Sequence, residues 1–197
     1  MLNNGTGHKN HWKTNNLYKA VVIPKLKNKF IVVQYAKNYG TGKNLTFPGG
    51  GCGRSRNTSC ARKELKEETR NSIKATTVKY LNTVTTKFRT KKELNNNNSP
   101  KPNRRTGVKR KYSRAVTTHY DIYGLTLNNK NTINKIKKRY HSFLIPRANK
   151  KAYTETNNIN SISFNNMNKP NTRMWWLMKK LLFSAKSKTI QNYLHSR

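Results

Sequence analysis

Acidic residues are rare in this chain, and half of them fall in one short segment. The sequence contains 6 Asp and Glu beside 42 Lys and Arg, a formal net charge of +36, yet Glu64, Glu67 and Glu68 all lie within residues 63–68. On a helix these positions share one face, where like charges repel. A divalent cation such as Mg²⁺ would turn that repulsion into attraction, because it prefers carboxylate oxygens. The segment therefore predicts a helix with a magnesium site suited to a phosphate compound.

A glycine-rich segment precedes the acidic one. Residues 45–53 are Leu-Thr-Phe-Pro-Gly-Gly-Gly-Cys-Gly, an apolar strand end followed by a glycine loop that can take a tight path. Residues 57–69 then predict a helix with Asn57 or Thr58 as its N-cap. We expect Ala61 and Leu65 on its buried side and the glutamates on the opposite face. The order of strand, glycine loop and acidic helix strongly limits the fold.

The combined pattern resembles the signature of the Nudix hydrolases. That signature has Gly, five residues, Glu and seven residues before Arg-Glu-aliphatic-x-Glu-Glu-x-Gly-aliphatic, which places Gly49 on the leading glycine. The box is degenerate, because Ser55 stands where the first Glu belongs and Lys63 replaces the Arg. Residues 70–73 replace the closing Gly-aliphatic pair with a longer turn. The alternative is an exposed helix whose glutamates pair with neighbouring Lys and Arg side chains.

The resemblance implies roles for individual residues. The family cleaves a diphosphate attached to a nucleoside by metal-assisted attack of water, so Mg²⁺ or Mn²⁺ is the implied cofactor. Glu67 and Glu68 would be the main metal ligands, and Glu64 a further ligand or the base. Lys63 would take the orienting role of the family arginine, although it lacks the bidentate fork of Arg. The carbonyl of Gly49 would add a ligand.

Two further sets of contacts complete the implied site. Gly50 and Gly51 would let the backbone approach the substrate phosphates. Glu155 is the preferred additional acid from beyond the box, and a solvated loop glutamate is the alternative for it. Glu93 and Asp121 are the other carboxylates available for that role.

Strand and helix patterns predict one mixed α/β (α+β) domain, with a mixed β-sheet sandwiched between helices, as the Nudix resemblance also implies. Residues 18–24 and 30–35 form the predicted hairpin. Further strands are predicted at 44–47, 115–127 and 159–164, with the segment 115–127 in the middle of the sheet. Residues 76–89 predict one or two more strands. Helices are predicted at 131–141 and 172–184, the latter amphipathic and capped by Asn171 or Thr172. A flexible tail at 1–16, a domain at 17–190 with a basic insertion at about 94–113, and a tail at 191–197 complete the expected organisation.

The sequence also carries signals of location and redox state. No apolar run is long enough to span a membrane and no signal peptide begins the chain, so we expect an intracellular protein of the cytoplasm or nucleus, including those of a virus-infected host cell. Cys52 and Cys60 form no disulfide framework and match no common zinc spacing. We therefore expect free thiols.

The high positive charge predicts binding to polyanions such as RNA. The densest segment is 101–114, in which Lys109, Arg110, Lys111 and Tyr112 are candidate substrate-binding residues. A nuclear-localisation segment or a solvated loop are the alternatives. At least one residue of the Trp175-Trp176 pair is expected in the core, and either is a candidate for base stacking.

In its abundance of Lys and Asn and its longer turn after Glu68, the chain resembles the Nudix proteins of large DNA viruses, which include poxvirus decapping enzymes and baculovirus ADP-ribose pyrophosphatases. An AT-rich genome is the alternative explanation of the composition. Capped mRNA is the favoured substrate, because the positive charge of the surface suits RNA. ADP-ribose or another small nucleotide is the second candidate, and a basic RNA-binding protein without turnover is the alternative from another class. Oligomeric state, the number of metals and the general base stay open.

Overall fold

The computed structural model describes residues 16–36, 44–53, 57–88, 116–128, 130–169, 172–183 and 187–196. In these ranges seven strands form one mixed sheet: β1 (Asn16–Leu26), β2 (Lys29–Tyr35), β3 (Leu45–Thr46), β4 (Gly49–Gly51), β5 (Lys79–Phe88), β6 (Val116–Thr126) and β7 (Thr156–Ser163). The helices are α1 (Thr58–Glu68), α2 (Ile133–Ser142), α3 (Lys150–Tyr153), α4 (Phe164–Asn168), α5 (Trp176–Phe183) and α6 (Lys188–His195), with a 3₁₀ turn at Arg147–Asn149.

Strand β1 is the centre of the sheet. It forms the predicted antiparallel hairpin with β2, whose turn places Lys27 at a φ of 55°. On its other side it pairs in parallel with β6, which pairs antiparallel with β5. Strands β3 and β7 pair with β2. The predictions of the hairpin and of an interior position for β6 are therefore confirmed.

Helices lie on both faces of the sheet, as predicted. Along β1, Val21 and Ile23 belong to a core cluster that includes α5 and α6, whereas Ala20 and Val22 belong to a second cluster that includes α1 and α2. This alternation follows from the two-residue period of a strand. Both faces of β1 are buried from Ala20 to Ile23, and β4 pairs with the strand where this buried part begins.

The predicted helix at 172–184 is wrong at its start, because α5 begins only at Trp176. The preceding backbone is used for pairing with β3 instead. The N–H of Leu45 donates to the carbonyl of Arg173 and the N–H of Trp175 donates to the carbonyl of Leu45, each at 2.8 Å. Residues whose backbone groups are committed to a strand neighbour cannot also make helical hydrogen bonds.

The predicted tail at 191–197 is also wrong, because α6 extends to His195. Ser187 caps this helix by accepting from the N–H of Ile190. Ile190 and Leu194 are buried in the sheet-facing core.

The insertion at about 94–113, with Lys109, Arg110, Lys111 and Tyr112, lies outside the described residues. No helix in the described ranges is long and apolar enough to cross a membrane.

Candidate active site

Helix α1 holds the glutamates in place. Its N-cap is Asn57, as predicted, whose Oδ1 accepts from the N–H groups of Ser59 and Cys60 at 2.8 and 3.2 Å. Its buried residues are Ala61, Leu65 and Glu68. The expectation that all the glutamates lie opposite Ala61 and Leu65 is therefore wrong for Glu68. Positions four and seven residues after Ala61 lie on the same stripe of a helix, so Glu68 continues the buried face.

Glu68 is anchored by three hydrogen bonds from different parts of the fold. Its carboxylate accepts from the N–H of Gly49 at 2.9 Å and from the hydroxyl of Tyr35 at 2.8 Å. Its backbone carbonyl accepts from the Thr156 hydroxyl at 2.7 Å. Burial raises the pKa of Glu68 to about 8, although the two bonds to its carboxylate favour the charged form. This side chain is the fixed point of the site.

Four of the five glutamates considered from the sequence line one cavity, and the fifth, Glu93, lies outside the described residues. Glu64, Glu67, Glu68 and Glu155 surround a space of about 170 Å³, together with Ala152 and the glycines Gly50 and Gly51. Burial raises the pKa of Glu64 to about 7, and the charges of Glu67 and Glu155 add to the shift. Burial also raises the pKa of Glu155. The fold thus gathers most of the acidic residues of a very basic protein around one cavity.

Carboxylate oxygens are the donors that Mg²⁺ and Mn²⁺ prefer, so the donor set fits a hard divalent cation. Within the described residues, no three His, Cys, Asp or Glu side chains are arranged to hold a metal ion as they stand. Glu68 is already bonded to Gly49 and Tyr35, and Glu67 lies 4.0 Å from the Lys63 ammonium. A cation bound at Glu64 and Glu67 would offset the repulsion between their charges.

Lys63 lies at the outer edge of this arrangement. Its side chain is 69% exposed, and its ammonium pairs with Glu67 one turn along the helix. It can orient Glu67, but exposure keeps the pair weak.

A more enclosed cation is Lys19 on β1, which the sequence argument missed. Burial lowers the pKa of Lys19, and the charges of Glu68 and Glu64 oppose that shift.

A second cavity of about 210 Å³ adjoins the first and shares Gly50 and Glu155 with it. Its walls are largely aromatic and apolar. Tyr35, Phe47, Tyr120, Trp175 and Met178 line it, and Lys19 supplies a positive charge. An apolar pocket with one cation beside a cluster of carboxylates can hold a base and a phosphate group while a metal-dependent step occurs next to them. The lysine could have been found from the inward position of a charged residue on an otherwise apolar strand.

The glycine segment forms strand β4 rather than the predicted loop, because it pairs with β1 from Lys19 to Val21. A β-carbon on Gly49 would overlap the carbonyl oxygen of Ala20, and one on Gly50 would overlap the carboxylate of Glu64. A β-carbon on Gly51 would meet open space. Close packing thus explains glycine at the first two positions, where the backbone approaches β1 and α1. The carbonyl of Gly49 lies 3.5 Å from the Tyr35 hydroxyl.

The expectation of free thiols is wrong, because Cys52 and Cys60 form a disulfide. Cys52 directly follows β4, and Cys60 lies in the first turn of α1, with 5.6 Å between their α-carbons. Their closeness depends on how β4 packs against α1, which a count of cysteines cannot show. The bond ties the glycine strand to the helix that carries the glutamates.

The turn after α1 contains two residues with left-handed backbone conformations. Arg70 and Asn71 have φ angles of 49° and 55° there, a conformation that costs a non-glycine residue about 1 kcal/mol or more. The Arg70 guanidinium donates to the carbonyls of Tyr153 and Thr156 at 3.2 and 2.7 Å and lies 4.5 Å from the Tyr140 ring. These contacts offset the strain and hold the segment before β7, with Glu155, against the end of α1.

No protein-family model matches this chain. No curated protein sequence is significantly similar to it either. Solved structures are similar to it in fold. The C-terminal domain of mouse MUTYH, in a complex with human PCNA, is 12% identical, with a TM-score of 0.47 over 92% of this chain and 99% of that one.

Two other structures resemble it to a similar degree. The pyrophosphohydrolase BsRppH of Bacillus subtilis is 15% identical, with a TM-score of 0.45 over 88% of this chain and 80% of that one. The Nudix domain of NrtR from Shewanella oneidensis, complexed with ADP ribose, is 12% identical, with a TM-score of 0.44 over 77% and 75%. Likeness at this level carries no argument about activity. The case for function therefore depends on the site itself.

Proposed function

We propose that this protein is a metal-dependent pyrophosphohydrolase of the Nudix type, which cleaves a diphosphate linkage in a nucleoside diphosphate derivative. The observation that carries the proposal is the joining of two cavities at Gly50 and Glu155. One cavity is lined by four carboxylates and the other by aromatic side chains with one lysine. A nucleoside diphosphate has the complementary parts, namely a flat base and an anionic group that requires a cation.

The residues of the chain have separable tasks in this proposal. Glu64, Glu67 and Glu155 would hold the cation beside the fixed carboxylate of Glu68. The bound metal would activate water and neutralise the diphosphate. Glu64 is also the candidate for the general base, and in that case Glu67 and Glu155 would hold the cation while Glu64 accepts the proton from water. Lys19 would supply positive charge in the aromatic cavity, and the aromatic walls would exclude water from the bound base.

Capped RNA is our favoured substrate within this class. A net charge of +36 raises the local concentration of long polyanions far more than that of a small dinucleotide. ADP-ribose has the same diphosphate and a base for the aromatic cavity, so it is the alternative substrate. We further propose that RNA is bound through the basic surface and that the protein acts inside a cell, where capped transcripts occur. We also propose that the chain is related to the Nudix proteins of large DNA viruses.

Hydrolysis of capped RNA and of ADP-ribose, assayed side by side with Mg²⁺ and with Mn²⁺, tests the proposal. Glu67→Gln keeps the shape of the side chain and removes a charge that faces the cavity. We expect it to lower turnover more than the roughly 10–100-fold typical of losing an outer hydrogen-bond partner of a metal site. The Lys63 pair is exposed, so its loss should cost only about 0.5 kcal/mol of folding stability. Unchanged turnover in Glu67→Gln would refute the proposed role of the cavity.

The alternative is an RNA-binding protein of this fold without turnover. The degenerate box and the absence of a preformed metal cage within the described residues favour it. It predicts that the wild-type protein binds RNA but releases no product from either substrate with either metal. Measurable release that is abolished by a chelator would exclude it.

A further inference from the structure

Two more surface cavities merge into a groove on the other side of α1. Their volumes are about 590 and 440 Å³, and they share Asn71 and Lys74. Six cationic residues line them: Arg62, Lys63, Lys66, Arg70, Lys74 and Arg139. We call this surface the basic groove. Among the residues that the structure describes, no carboxylate lines either cavity, whereas each of the two cavities of the proposed active site contains glutamate.

Hydrogen bonds hold two of these charges in fixed positions. Arg62 donates to the carbonyl of Thr76 at 2.8 Å and to the Ser59 hydroxyl at 3.2 Å. Arg70 is held by its bonds to the segment before β7. Fixed cations lose less conformational entropy when a phosphate binds than mobile surface lysines do. The strained backbone at Arg70 and Asn71 shapes the same groove, and such strain concentrates at functional sites.

Apolar groups border the groove beside the charges. Leu144 is 90% exposed and is the exposed large hydrophobic residue of the described part of the chain. It lines the larger cavity together with Phe143, whose ring packs 5.0 Å from that of Tyr153. A small anion would need only the cations. A surface that combines cations with an aromatic and an aliphatic face fits a ligand with phosphates and flat bases.

The groove and the active site meet at α1. Lys63 lines the groove, and its ammonium lies 4.0 Å from Glu67, which lines the glutamate cavity. We infer that the basic groove binds single-stranded RNA, with its phosphates along the cations from Arg62 and Lys66 to Lys74 and Arg139 and a base against Phe143 and Leu144. This inference rests on the proposed function and deepens it. The diphosphate that is cleaved would be at one end of the bound RNA. The binding itself requires no turnover.

The test measures the affinity of the full chain for a labelled single-stranded RNA of about 20 nucleotides. Fluorescence anisotropy reports binding, and a chelator in the buffer prevents turnover. The variant combines Lys66→Gln, Lys74→Gln and Arg139→Gln. The control combines Lys29→Gln, Lys87→Gln and Lys188→Gln, three exposed lysines outside the groove. Both lose three charges. We expect the groove variant to bind at least about 10-fold more weakly at 0.1 M salt. Its slope of log affinity against log salt should fall by about 2, since each phosphate contact on a single strand contributes about 0.7.

The control variant should keep the wild-type salt slope. Equal losses in the two triple variants, or no loss in the groove variant, would overturn the inference, because either result makes binding a property of overall charge. Leu144→Ser isolates the apolar contact and alters an exposed residue. It should weaken RNA binding several-fold without changing the salt slope, and unchanged affinity would refute base contact there.

Turnover separates this inference from the proposed function. The groove variant should hydrolyse ADP-ribose at the wild-type rate and capped RNA more slowly at low substrate concentration. If the wild-type protein hydrolyses neither substrate while the groove variant loses RNA binding, the groove stands and the proposed activity fails. If hydrolysis occurs and both triple variants bind RNA equally, the activity stands and the groove fails.

Discussion

The hydroxyl of Tyr35 donates a hydrogen bond of 2.8 Å to the carboxylate of Glu68, and this bond joins strand β2 to the end of helix α1. A buried carboxylate is costly unless its oxygens have partners. Tyr35 serves one oxygen and the N–H of Gly49 serves the other. Burial and the nearby glutamate charges raise the pKa of the Tyr35 hydroxyl, so it stays protonated and keeps donating.

Tyr35→Phe should therefore impair Glu68 without removing it. The lost hydrogen bond favoured the charged carboxylate, so the pKa of Glu68 should rise further and the acid limb of the activity profile should move to higher pH. We expect a loss of about 10–100-fold at neutral pH, recovered in part at alkaline pH. Tyr18→Phe is the control, because among the described residues the Tyr18 hydroxyl has no hydrogen-bond partner. A pH profile of activity that is lower at every pH, with its acid limb at the wild-type position, would contradict the role given to Tyr35.

Glu68 and Glu64 should make the metal-free protein less stable as pH rises. Their folded pKa values are raised to about 8 and about 7, whereas an unfolded Glu titrates near about 4.3. Between these values the folded state binds more protons than the unfolded state, so the free energy of unfolding falls with increasing pH. Denaturant midpoints measured in chelator from pH 5 to 9 check this. Glu68→Gln should flatten the trend, and a wild-type protein that gains stability over this range would contradict it.

Gly50→Ala and Gly51→Ala form a matched pair. The new β-carbon at position 50 would displace the Glu64 carboxylate, whereas the one at position 51 enters open space. We expect Gly50→Ala to lower turnover by at least about 10-fold. The free energy of unfolding should change by less than about 1 kcal/mol, because the displaced atoms lie at the end of a flexible side chain. Gly51→Ala should behave as wild type in both measurements. Equal activity in the two variants would show that the position of Glu64 is unimportant.

Local sequence signals predicted the hairpin of β1 and β2 and the span of α1. Alternation of apolar residues predicts a strand. Asn57, which comes before a segment with apolar residues at helical spacing, predicts the start of a helix. These signals act between residues close in the chain, so they can be recognised without knowing the rest of the fold. The grouping of Glu64, Glu67 and Glu68 on neighbouring turns was visible for the same reason.

Features that depend on distant partners were missed. The start of α5 depends on backbone pairing of Arg173 and Trp175 with Leu45, and nothing within the segment indicates it. Glu68 is buried because Gly49 and Tyr35 offer it hydrogen bonds from two strands. Propensity and spacing carry no information about such contacts, because tertiary packing overrides local preference.

The Cys52–Cys60 disulfide should stabilise the link between β4 and α1. Closing a loop of this length contributes about 2–3 kcal/mol in the chain-entropy model. A dithiol reductant should therefore lower the denaturant midpoint of the wild-type protein. The double variant Cys52→Ser, Cys60→Ser should start from the lower midpoint and show no response to reductant. A response in the double variant, or none in the wild type, would contradict this account.

Lys25 should determine whether the last helix stays on the sheet. Its buried ammonium donates to the carbonyls of Tyr193 and Ser196 and to the Ser196 hydroxyl at the C-terminal end of α6, where a cation also stabilises the helix dipole. Lys25→Met keeps much of the side-chain volume but leaves these acceptors without their donor, so we expect a loss of about 2–3 kcal/mol. Hydrogen exchange should show faster exchange in α6 than in α1. Lys29→Met, at an exposed position on the neighbouring strand, is the control. Equal exchange in α6 of both variants would show that the apolar contacts of Ile190 and Leu194 hold the helix without Lys25.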